Sequence, residues 1–413
     1  MVTADVAVVG GGPAGVAAAI VLARAGRDVV LVDKAGFPRD KCCGDGITTA
    51  ALRRYEALGL RPESVPSWNV VEDVWVRGPT GHTVAFPLPR ECGTYAAVAR
   101  RVDLDAAFLD VARSAGVKVF DGHALVGAEA GVDRITLDVA GLGPVAARYA
   151  VGADGMWSPL RKLLGVDDGD PDLAGYLGDW HAFRQYFRGT GPEATKLWVW
   201  FDPDLLPGYA WSFPLPGGRA NVGFGLQRAE GLSGKAMKGL WTELLARPHI
   251  AAVLGPAAEP EAPHKAWPIP ARVDAVRLHG AGGRALFVGD AARATDPMTG
   301  EGIGQALETG MAAAEAILAA GWSRPARAAA RYQAEVTRTL AVDHRLAALL
   351  SRALSHRKGV RVALRVAGST GWTRRNFGRW LFEDYPRAVL ATPSRWRRGV
   401  LAGPGAYRSR HQP

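Results

Sequence analysis

The chain has 413 residues, of which 48% are hydrophobic and 22% charged. This composition excludes an intrinsically disordered chain and gives enough apolar residues for two or three domains. The net charge of +10 is concentrated in the tail, because residues 352–413 hold fourteen Lys/Arg against two acids and therefore carry +12. No run of about 18 apolar residues occurs, so no segment is predicted to span a bilayer.

Cysteine usage and the first residues predict a cytoplasmic protein. Cys42 and Cys43 are adjacent and Cys92 is distant. This spacing gives neither a disulfide framework nor a zinc site, so no metal is expected. A reducing compartment fits that pattern. The buried strand predicted over Ala4–Val9 leaves no room for a cationic leader and cleavage site.

The first residues follow the order strand, glycine turn, helix and strand. Strands are predicted over Val6–Val9 and Val29–Val32, and Gly10, Gly12 and Gly15 between them have the G-x-G-x-x-G spacing. The first glycine permits a tight turn, the second lets the backbone approach a pyrophosphate, and the third lets the helix pack against the strand. The pattern therefore predicts a bound dinucleotide whose phosphates lie at the N-terminus of a helix.

Four neighbouring residues complete this predicted nucleotide site. Pro13 and Ala14 belong to the phosphate loop. Asp33 ends the second strand 23 residues after Gly10, close to the spacing of about 20 expected of a carboxylate that binds a ribose hydroxyl. Lys34 beside it leaves a 2′-phosphate, and so NADP, as an alternative at this point.

The middle of the chain changes from helical to strand periodicity twice. Alternation predicts a hairpin over residues 70–86 and an antiparallel sheet over residues 180–226. A helix is predicted over about residues 103–116, and a strand follows it. Residues 255–270, rich in Pro and Ala, are interpreted as a crossover. The final strand of the framework is predicted over residues 285–288.

These elements predict an α/β fold in which three separate segments of the chain contribute to one parallel sheet, with antiparallel strands inserted between those segments. The predicted architecture is a Rossmann-like dinucleotide-binding domain, an inserted antiparallel β-sheet substrate domain and a basic helical C-terminal region. The dinucleotide-binding domain is assigned residues 1–69, 96–168 and 276–320. The antiparallel substrate domain is assigned residues 70–95 and 169–275, and the helical C-terminal region residues 321–413.

Near the last third of the chain, a Gly-Asp pair ends a strand at Asp290 and a Pro-x-x-Gly-x-Gly turn follows. This resembles the second flavin motif of the p-hydroxybenzoate hydroxylase-like FAD superfamily. The resemblance implies that Asp290 binds the ribitol chain of FAD and that Pro297 and Gly300 belong to the turn beside the isoalloxazine. It also implies that Gly302 and Ile303 offer backbone N–H groups to the pyrimidine edge. A helix N-terminus there would stabilise negative charge on the reduced ring.

Two further segments resemble motifs of the same superfamily. The run Val-Gly-Ala-Asp-Gly around Asp154 is similar to its third motif, although Asp154 could instead serve only to cap a helix. Arg101 matches an arginine that lies near the flavin phosphates, with Arg100 as a competing register. Four ordered motifs together predict FAD as the cofactor.

Two stretches narrow the resemblance to geranylgeranyl reductases. Lys41 to Gly44 look like the Lys-x-Cys-Gly loop of that family, which implies a place for Cys43 near the flavin ring as a candidate catalytic thiol. The adjacent Cys42 departs from the usual pattern, and either cysteine could simply be a small buried residue.

The second stretch is similar to the Tyr-x-Trp-x-Phe-Pro…Gly-x-Gly signature of the same reductases. Tyr209, Trp211 and Phe213 alternate and so project from one face of a strand. Gly223 and Gly225 lie on the strand after it. In that family this strand pair lines the prenyl cavity, which implies substrate-binding roles here. Aromatic alternation can also be ordinary sheet packing.

The function implied is an FAD-dependent reductase that saturates C=C bonds of a prenyl chain with a hydride from reduced flavin. NAD(P)H or ferredoxin would supply the electrons. The alternative is a flavin-dependent monooxygenase that hydroxylates an aromatic or polyketide-like substrate through a C4a-hydroperoxide. A membrane-surface protein that keeps flavin only structurally is a third class.

The tail suggests a further partner. Residues 356–380 interleave arginines with apolar and aromatic residues, a pattern that can lie on an anionic membrane at its inner face. The alternative is a solvated helix face whose aromatics pack inward. Nucleic acid is not expected, because no recognition module accompanies the charge. A prenyl lipid or another apolar small molecule is the expected substrate, and the sequence does not define the oligomeric state.

Overall fold

The structure, a computed structural model, describes residues 1–166, 175–228, 234–396, 399 and 401–408. The predicted domain boundary between residues 168 and 169, and the last five residues of the tail, lie outside these ranges. The strands are β1 (Val2–Val9), β2 (Val29–Asp33), β3 (Gly46–Ile47), β4 (Asn69–Val70), β5 (Asp73–Arg77), β6 (Thr83–Pro87), β7 (Ala97–Val98), β8 (Lys118–Asp121), β9 (Leu125–Ala130), β10 (Ile135–Val139), β11 (Gly143–Gly152), β12 (Trp180–Arg188), β13 (Leu197–Trp200), β14 (Tyr209–Leu215), β15 (Arg219–Gln227), β16 (Glu259–Pro260), β17 (Lys265–Ile269), β18 (His279–Gly280) and β19 (Ala285–Phe287).

The helices alternate with these strands in the first two thirds of the chain and follow one another in the last third. They are α1 (Pro13–Arg24), α2 (Thr49–Ala57), α3 (Arg101–Ser114), α4 (Pro159–Leu163), α5 (Gly234–Ala246), α6 (Pro248–Leu254), α7 (Ile303–Ala320), α8 (Pro325–Val336), α9 (Val342–Leu354), α10 (Arg357–Ala367) and α11 (Gly371–Leu381). A π-helical stretch, Thr337–Ala341, joins α8 to α9. Among the described residues, no helix is both long enough and apolar enough to cross a lipid bilayer.

The first sheet confirms the predicted parallel framework. Its strand order is β18-β19-β11-β1-β2-β8, with β10 and β9 attached in antiparallel fashion beside β11. The pairs of β1 with β2 and with β11 are parallel, as is the pair of β11 with β19. Val6 and Val8 in β1 are fully buried, as expected of a strand covered on both faces.

Glycines let two long helices pack closely against this sheet and each other. A Cβ atom on Gly15 would lie 1.9 Å from the Gly10 carbonyl oxygen, so α1 contacts the preceding turn directly. A Cβ on Gly310 would lie 2.1 Å from the Ala14 carbonyl oxygen, so α7 crosses α1 backbone to backbone. The sequence positions that begin α1 and α7 are thereby brought to the same end of the sheet.

The second sheet confirms the predicted hairpin and the predicted antiparallel region. Its order is β16-β12-β15-β14-β13-β5-β6, with β17 also paired to β12. Only the β13–β5 pair among these described strands is parallel. The interpretation of residues 255–270 as a plain crossover was wrong, because β16 and β17 form there. Prolines at Pro260 and Pro268 are compatible with strands at a sheet edge, where a backbone N–H is not needed.

The C-terminal region is mainly helical up to Leu381, as predicted, and turns and short 3-10 segments follow among the described residues. Its helices pack on the second sheet. Val360 and Leu364 of α10 are buried in one apolar cluster with Val74, Val76 and Phe86 of β5 and β6. Their i, i+4 spacing places both on one helix face. The tail therefore forms a shared core with the inserted sheet.

Candidate functional site

A cavity of about 830 Å³ joins the two sheets and the tail. The predicted residues that line it come from all parts of the chain: Gly12, Pro13, Ala14, Cys43, Gly44, Arg101, Tyr209, Trp211, Phe213, Gly225, Asp290, Gly300, Gly302 and Ile303. The other predicted residues lie outside its lining: Gly10, Gly15, Asp33, Lys34, Asp154, Gly223 and Pro297. The glycine turn and Asp290, separated by nearly 280 positions, thus open onto one space.

The glycine turn leaves an open surface where a phosphate is expected. At Gly10, φ is +109° and a Cβ would lie 2.2 Å from the Ala153 carbonyl oxygen, so only glycine fits. At Gly12, a Cβ would meet only Arg39 Nη2, at 3.7 Å. Gly12 caps α1 with no side-chain hydrogen bond, so the helix N-terminus presents backbone N–H groups to the cavity.

Asp33 holds this turn in place. Its Oδ2 accepts a hydrogen bond from Gly11 N at 2.7 Å, and its Oδ1 accepts one from Ala35 N at 2.8 Å. Lys34 is exposed. The role of Asp33 towards a ribose stays a prediction, and the contacts described add a role in shaping the loop.

Two arginines beside the turn share one carboxylate. Arg101 is buried and donates twice to Asp105, at 2.7 Å and 2.7 Å, while Arg39 donates to the same carboxylate at 3.0 Å. One positive charge is therefore left over at this end of the cavity, which suits a diphosphate. Arg100, the competing register, lies instead with its guanidinium over the Tyr186 ring at 4.4 Å.

Asp290 is paired with a lysine from the cysteine loop. Lys41 Nζ lies 2.8 Å from Asp290 Oδ2, and both residues line the cavity. Burial alone would raise the pKa of Asp290, but Lys41 and then Arg101 outweigh it and hold that pKa below its ordinary value. Asp290 is therefore an ionised acceptor, the form needed to bind hydroxyl groups.

The N-terminus of α7 carries a carboxylate that the sequence analysis missed. Glu301 Oε1 accepts a hydrogen bond from Gly304 N at 2.9 Å. Burial, and then repulsion from Glu383, raise the pKa of Glu301 well above its ordinary range. Its position inside the Pro-x-x-Gly-x-Gly turn was the available signal. Pro297 of that turn points elsewhere, and its carbonyl oxygen accepts from Trp180 Nε1 at 3.0 Å.

Cys43 lies at the cavity beside a buried polar network that was also missed. Burial raises the pKa of Cys43, so its thiol stays protonated at neutral pH. Asn221 Nδ2 donates to the Cys43 carbonyl oxygen at 2.9 Å and to Asp45 Oδ2 at 2.8 Å. Tyr186 donates to the same Asp45 oxygen at 2.6 Å. Cys42 also lines the cavity, and burial raises its pKa to about 12.

The three alternating aromatics form a continuous wall of the cavity. Successive ring centroids from Tyr209 to Trp211 and from Trp211 to Phe213 are each 6.0 Å apart. The Tyr209 hydroxyl donates to the Thr299 carbonyl oxygen, which ties the wall to the turn before α7. Gly223 pairs with Trp211 across the strands, and a Cβ there would lie 2.3 Å from the indole ring. Gly223 therefore packs behind the wall and not in the lining.

Asp154 has both carboxylate oxygens engaged away from the cavity. Its Oδ1 accepts from Ser158 Oγ at 2.7 Å and its Oδ2 from Leu160 N at 2.8 Å. These bonds cap the short helix α4, which is the alternative role that the sequence left open.

Comparison with known proteins identifies the family. Residues 3–339 match the family described as FAD binding domain. The chain belongs to this family of FAD-dependent oxidoreductases. The flavoprotein is 35% identical over 377 residues to menaquinone reductase of Mycolicibacterium smegmatis, covering 84% of this chain and 85% of that protein.

Reductases of prenyl compounds are among the flavoprotein's relatives. It is 33% identical over 325 residues to digeranylgeranylglycerophospholipid reductase 1 of Methanopyrus kandleri, covering 76% of this chain and 80% of that protein. A solved structure of a geranylgeranyl bacteriochlorophyll reductase-like protein from Thermoplasma acidophilum has a TM-score of 0.78 at 20% identity, with 95% of this chain and 99% of that chain covered. The resemblance to geranylgeranyl reductases is thus confirmed. Flavin-dependent halogenases and a probable FAD-dependent monooxygenase share the fold at 18–22% identity.

The residues that line the cavity of the flavoprotein fit the diphosphate and the hydroxyl-bearing chain of FAD. The uncapped helix N-terminus beside Gly12 and the surplus positive charge near Arg101 suit the diphosphate, and the ionised Asp290 suits hydroxyl groups. The space beside Gly12 that a Cβ would enter is open. FAD supplies the redox chemistry of this family, since none of the protein's own side chains transfers a hydride.

The buried Asp45 makes a prediction about stability. Burial raises the pKa of Asp45 from 3.8 to about 6. Its protonated form therefore stabilises the folded state at low pH, and that stability is lost as pH rises through 6. Asp45→Asn should remove this loss, so that the variant gains about 2 kcal/mol relative to the parent between about pH 4 and pH 7. Urea unfolding at several pH values measures it, with Asp138→Asn at an exposed position as the control. Parallel pH profiles for parent and Asp45→Asn would contradict the assignment.

Proposed function

We propose that this flavoprotein is an FAD-dependent reductase that saturates C=C bonds of a prenyl chain. The observation that carries the proposal is a single cavity that has a polar wall and an apolar, aromatic wall. The glycine turn, Lys41 and Asp290 lie at one part of it, and the aromatic strand β14 lies at another, facing the apolar side chains of α9, α10 and α11. A long apolar chain fits such a slot better than a polar substrate does.

The names of the relatives support the same substrate class. Menaquinone and a digeranylgeranylglycerophospholipid are both compounds with prenyl chains. Their head groups have little in common, so the shared part is the chain. The aromatic wall has no charge and is suited to that shared part.

In this proposal FAD is held by residues from three of the four superfamily motifs, and Asp154 of the remaining motif caps α4 instead. The loop Gly12 to Ala14 and Arg101 hold the diphosphate, Asp290 holds the ribitol chain, and the turn from Gly300 to Ile303 lies beside the ring. Glu301 accepts from the N–H of Gly304 and also interacts with the N–H of Ile303, so Gly302 is the stronger of the two candidates, Gly302 and Ile303, for the pyrimidine edge. Lys41 keeps Asp290 ionised for this role.

Bound FAD, once reduced, supplies the hydride, and the protein must position the alkene and provide a proton. Cys43 is the proposed thiol beside the ring, because it lines the cavity and is protonated. Isolated alkenes are poor hydride acceptors, so the slot between Trp211 and α10 has to fix the chain. NAD(P)H or ferredoxin is the proposed electron donor.

The test starts from the purified holoprotein, with its flavin reduced in the absence of oxygen. Adding a prenyl lipid should reoxidise the flavin, followed by absorbance, and mass spectrometry should find a product heavier by two hydrogens per double bond. The same lipid with a saturated chain is the matched control and should leave the flavin reduced. Oxygen uptake with a product heavier by one oxygen atom would favour the monooxygenase alternative. That alternative is retained because a probable FAD-dependent monooxygenase has the same fold.

A variant at Gly225 separates the chain slot from the flavin site. Gly225 lines the cavity and a Cβ there meets nothing within 4 Å, so a larger side chain has room only inside the slot. Gly225→Leu should slow reoxidation by the prenyl lipid by about tenfold or more, since one or two misplaced methylene groups matter that much in an apolar pocket. Reoxidation by ferricyanide should stay the same. Gly239→Leu, exposed on α5, is the matched control.

A further inference from the structure

The tail helices α9, α10 and α11, which line one side of the cavity, also carry an exposed cationic surface. The basic surface is defined by seven exposed side chains of α9, α10 and α11: Arg352, Arg357, Lys358, Arg361, Arg365, Arg374 and Arg375. Residues 345–382 contain no Asp or Glu. Within the part of the chain that the structure describes, none of the seven forms an ion pair. Their charges are thus not neutralised by the protein itself.

Large apolar side chains stand among these cations. Leu349 is 60% exposed, Val362 55%, Val366 62% and Trp372 62%. On α10, Val360 and Leu364 form the face that is buried in the core. Val362 and Val366 are exposed and do not contribute to that buried face. A solvated face does not require exposed valines and a tryptophan between its arginines, whereas such side chains insert readily into a lipid interface.

The cavity reaches the protein surface at this place. Ala353 at the end of α9 and Val366 on α10 both line the cavity and are exposed. Leu354 and Gly359, between them in sequence, line it as well and are half-buried. Arg352 and Arg365 are the immediate neighbours of the two exposed residues. The rim of the cavity is therefore apolar and is flanked by the basic surface.

We infer that the basic surface docks on an anionic lipid bilayer, so that the rim opens into the membrane and the prenyl chain enters the cavity from the lipid. This rests on the proposed function for the identity of the chain, while the docking itself does not. Arginine and lysine side chains attract anionic head groups, and Val362, Val366 and Trp372 would lie at the level of the acyl boundary. A long prenyl chain then never has to cross water.

The docking is tested by sedimentation of the holoprotein with vesicles. Vesicles of phosphatidylcholine with about one third phosphatidylglycerol should bind the protein, pure phosphatidylcholine should bind it at least about tenfold more weakly, and high salt should reduce the difference. The double variant Val362→Glu/Trp372→Glu should lower binding to anionic vesicles by about tenfold or more. Val132→Glu is the matched control, because Val132 is 90% exposed on the turn between β9 and β10, in the other sheet.

A second measurement tests the route of entry. With the prenyl lipid embedded in anionic vesicles, Val362→Glu/Trp372→Glu should slow flavin reoxidation by about tenfold, and with the same lipid in detergent micelles it should not. Equal sedimentation of parent and double variant, or binding indifferent to anionic lipid, would overturn the docking and point to a protein partner or a solvated face. Vesicle binding without reoxidation by any prenyl lipid would instead refute the proposed function and leave the docking standing. Melting temperatures check that the variants remain folded.

Discussion

Gly12→Ala is expected to abolish useful FAD binding while leaving the protein folded. The backbone at Gly12 has φ −81° and ψ 179°, a conformation that alanine adopts without strain. The added Cβ meets only the end of the Arg39 side chain, at 3.7 Å, so the protein itself has room for it. The same methyl group would occupy the space through which a diphosphate approaches the N-terminus of α1.

We expect the affinity for FAD to fall at least about 100-fold, or ~2.7 kcal/mol. Titration of the apoprotein with FAD, followed by flavin fluorescence, measures the change, and the melting temperature of the apoprotein should stay within a few degrees of the parent. Gly36→Ala is the matched control, since its Cβ meets nothing within 4 Å and it does not line the cavity. Unchanged affinity in Gly12→Ala would place the phosphates elsewhere. Gly15→Ala serves as the contrast, because its Cβ lies 1.9 Å from the Gly10 carbonyl oxygen and should disturb folding itself.

Arg387→Met should be the most destabilising single substitution in the tail. Arg387 is 4% exposed, and its Nε donates to Asp296 Oδ2 at 2.7 Å. Its Nη2 donates to Thr299 Oγ1 at 3.2 Å and to Glu383 Oε1 at 3.1 Å. Methionine fills a similar volume but leaves two buried carboxylates without their cation. Removing one partner of a buried ion pair destabilises by about 3–5 kcal/mol.

The same substitution should weaken FAD binding, because Asp296 also accepts hydrogen bonds from Met298 N and Thr299 N at the turn before α7. Urea unfolding with and without excess FAD measures both effects. Arg374→Met, at an exposed position of α11, should change the unfolding free energy by less than about 0.5 kcal/mol. If Arg387→Met changes the unfolding free energy and FAD binding as little as Arg374→Met does, Arg387 does not hold the tail to the turn before α7.

The parts of the site that sequence could predict are those encoded within a few residues. The G-x-G-x-x-G turn and the Gly-Asp pair ending at Asp290 carry their chemistry in local spacing, and α1 and α7 begin where the glycines indicate. Tyr209, Trp211 and Phe213 were placed on one face by alternation alone. Each of these predictions depends on backbone geometry that neighbouring residues determine.

The parts that sequence could not predict depend on contacts between distant segments. Asp45 and Asn221 lie 176 positions apart, and nothing local marks either as a member of a buried network. The strands β16 and β17 were not predicted, because they form by pairing with β12, which lies about 80 positions earlier in the chain. The tail was predicted to be helical and basic, but no feature of α10 indicated that β5 and β6 would cover Val360 and Leu364.

The family match ends at residue 339, and the helices that roof the cavity begin at Val342. The residues proposed to hold FAD therefore lie within the matched part of the chain, whereas one side of the slot comes from the segment beyond it. Substitutions among the apolar residues of this C-terminal segment can therefore reshape the slot without altering the glycine turn.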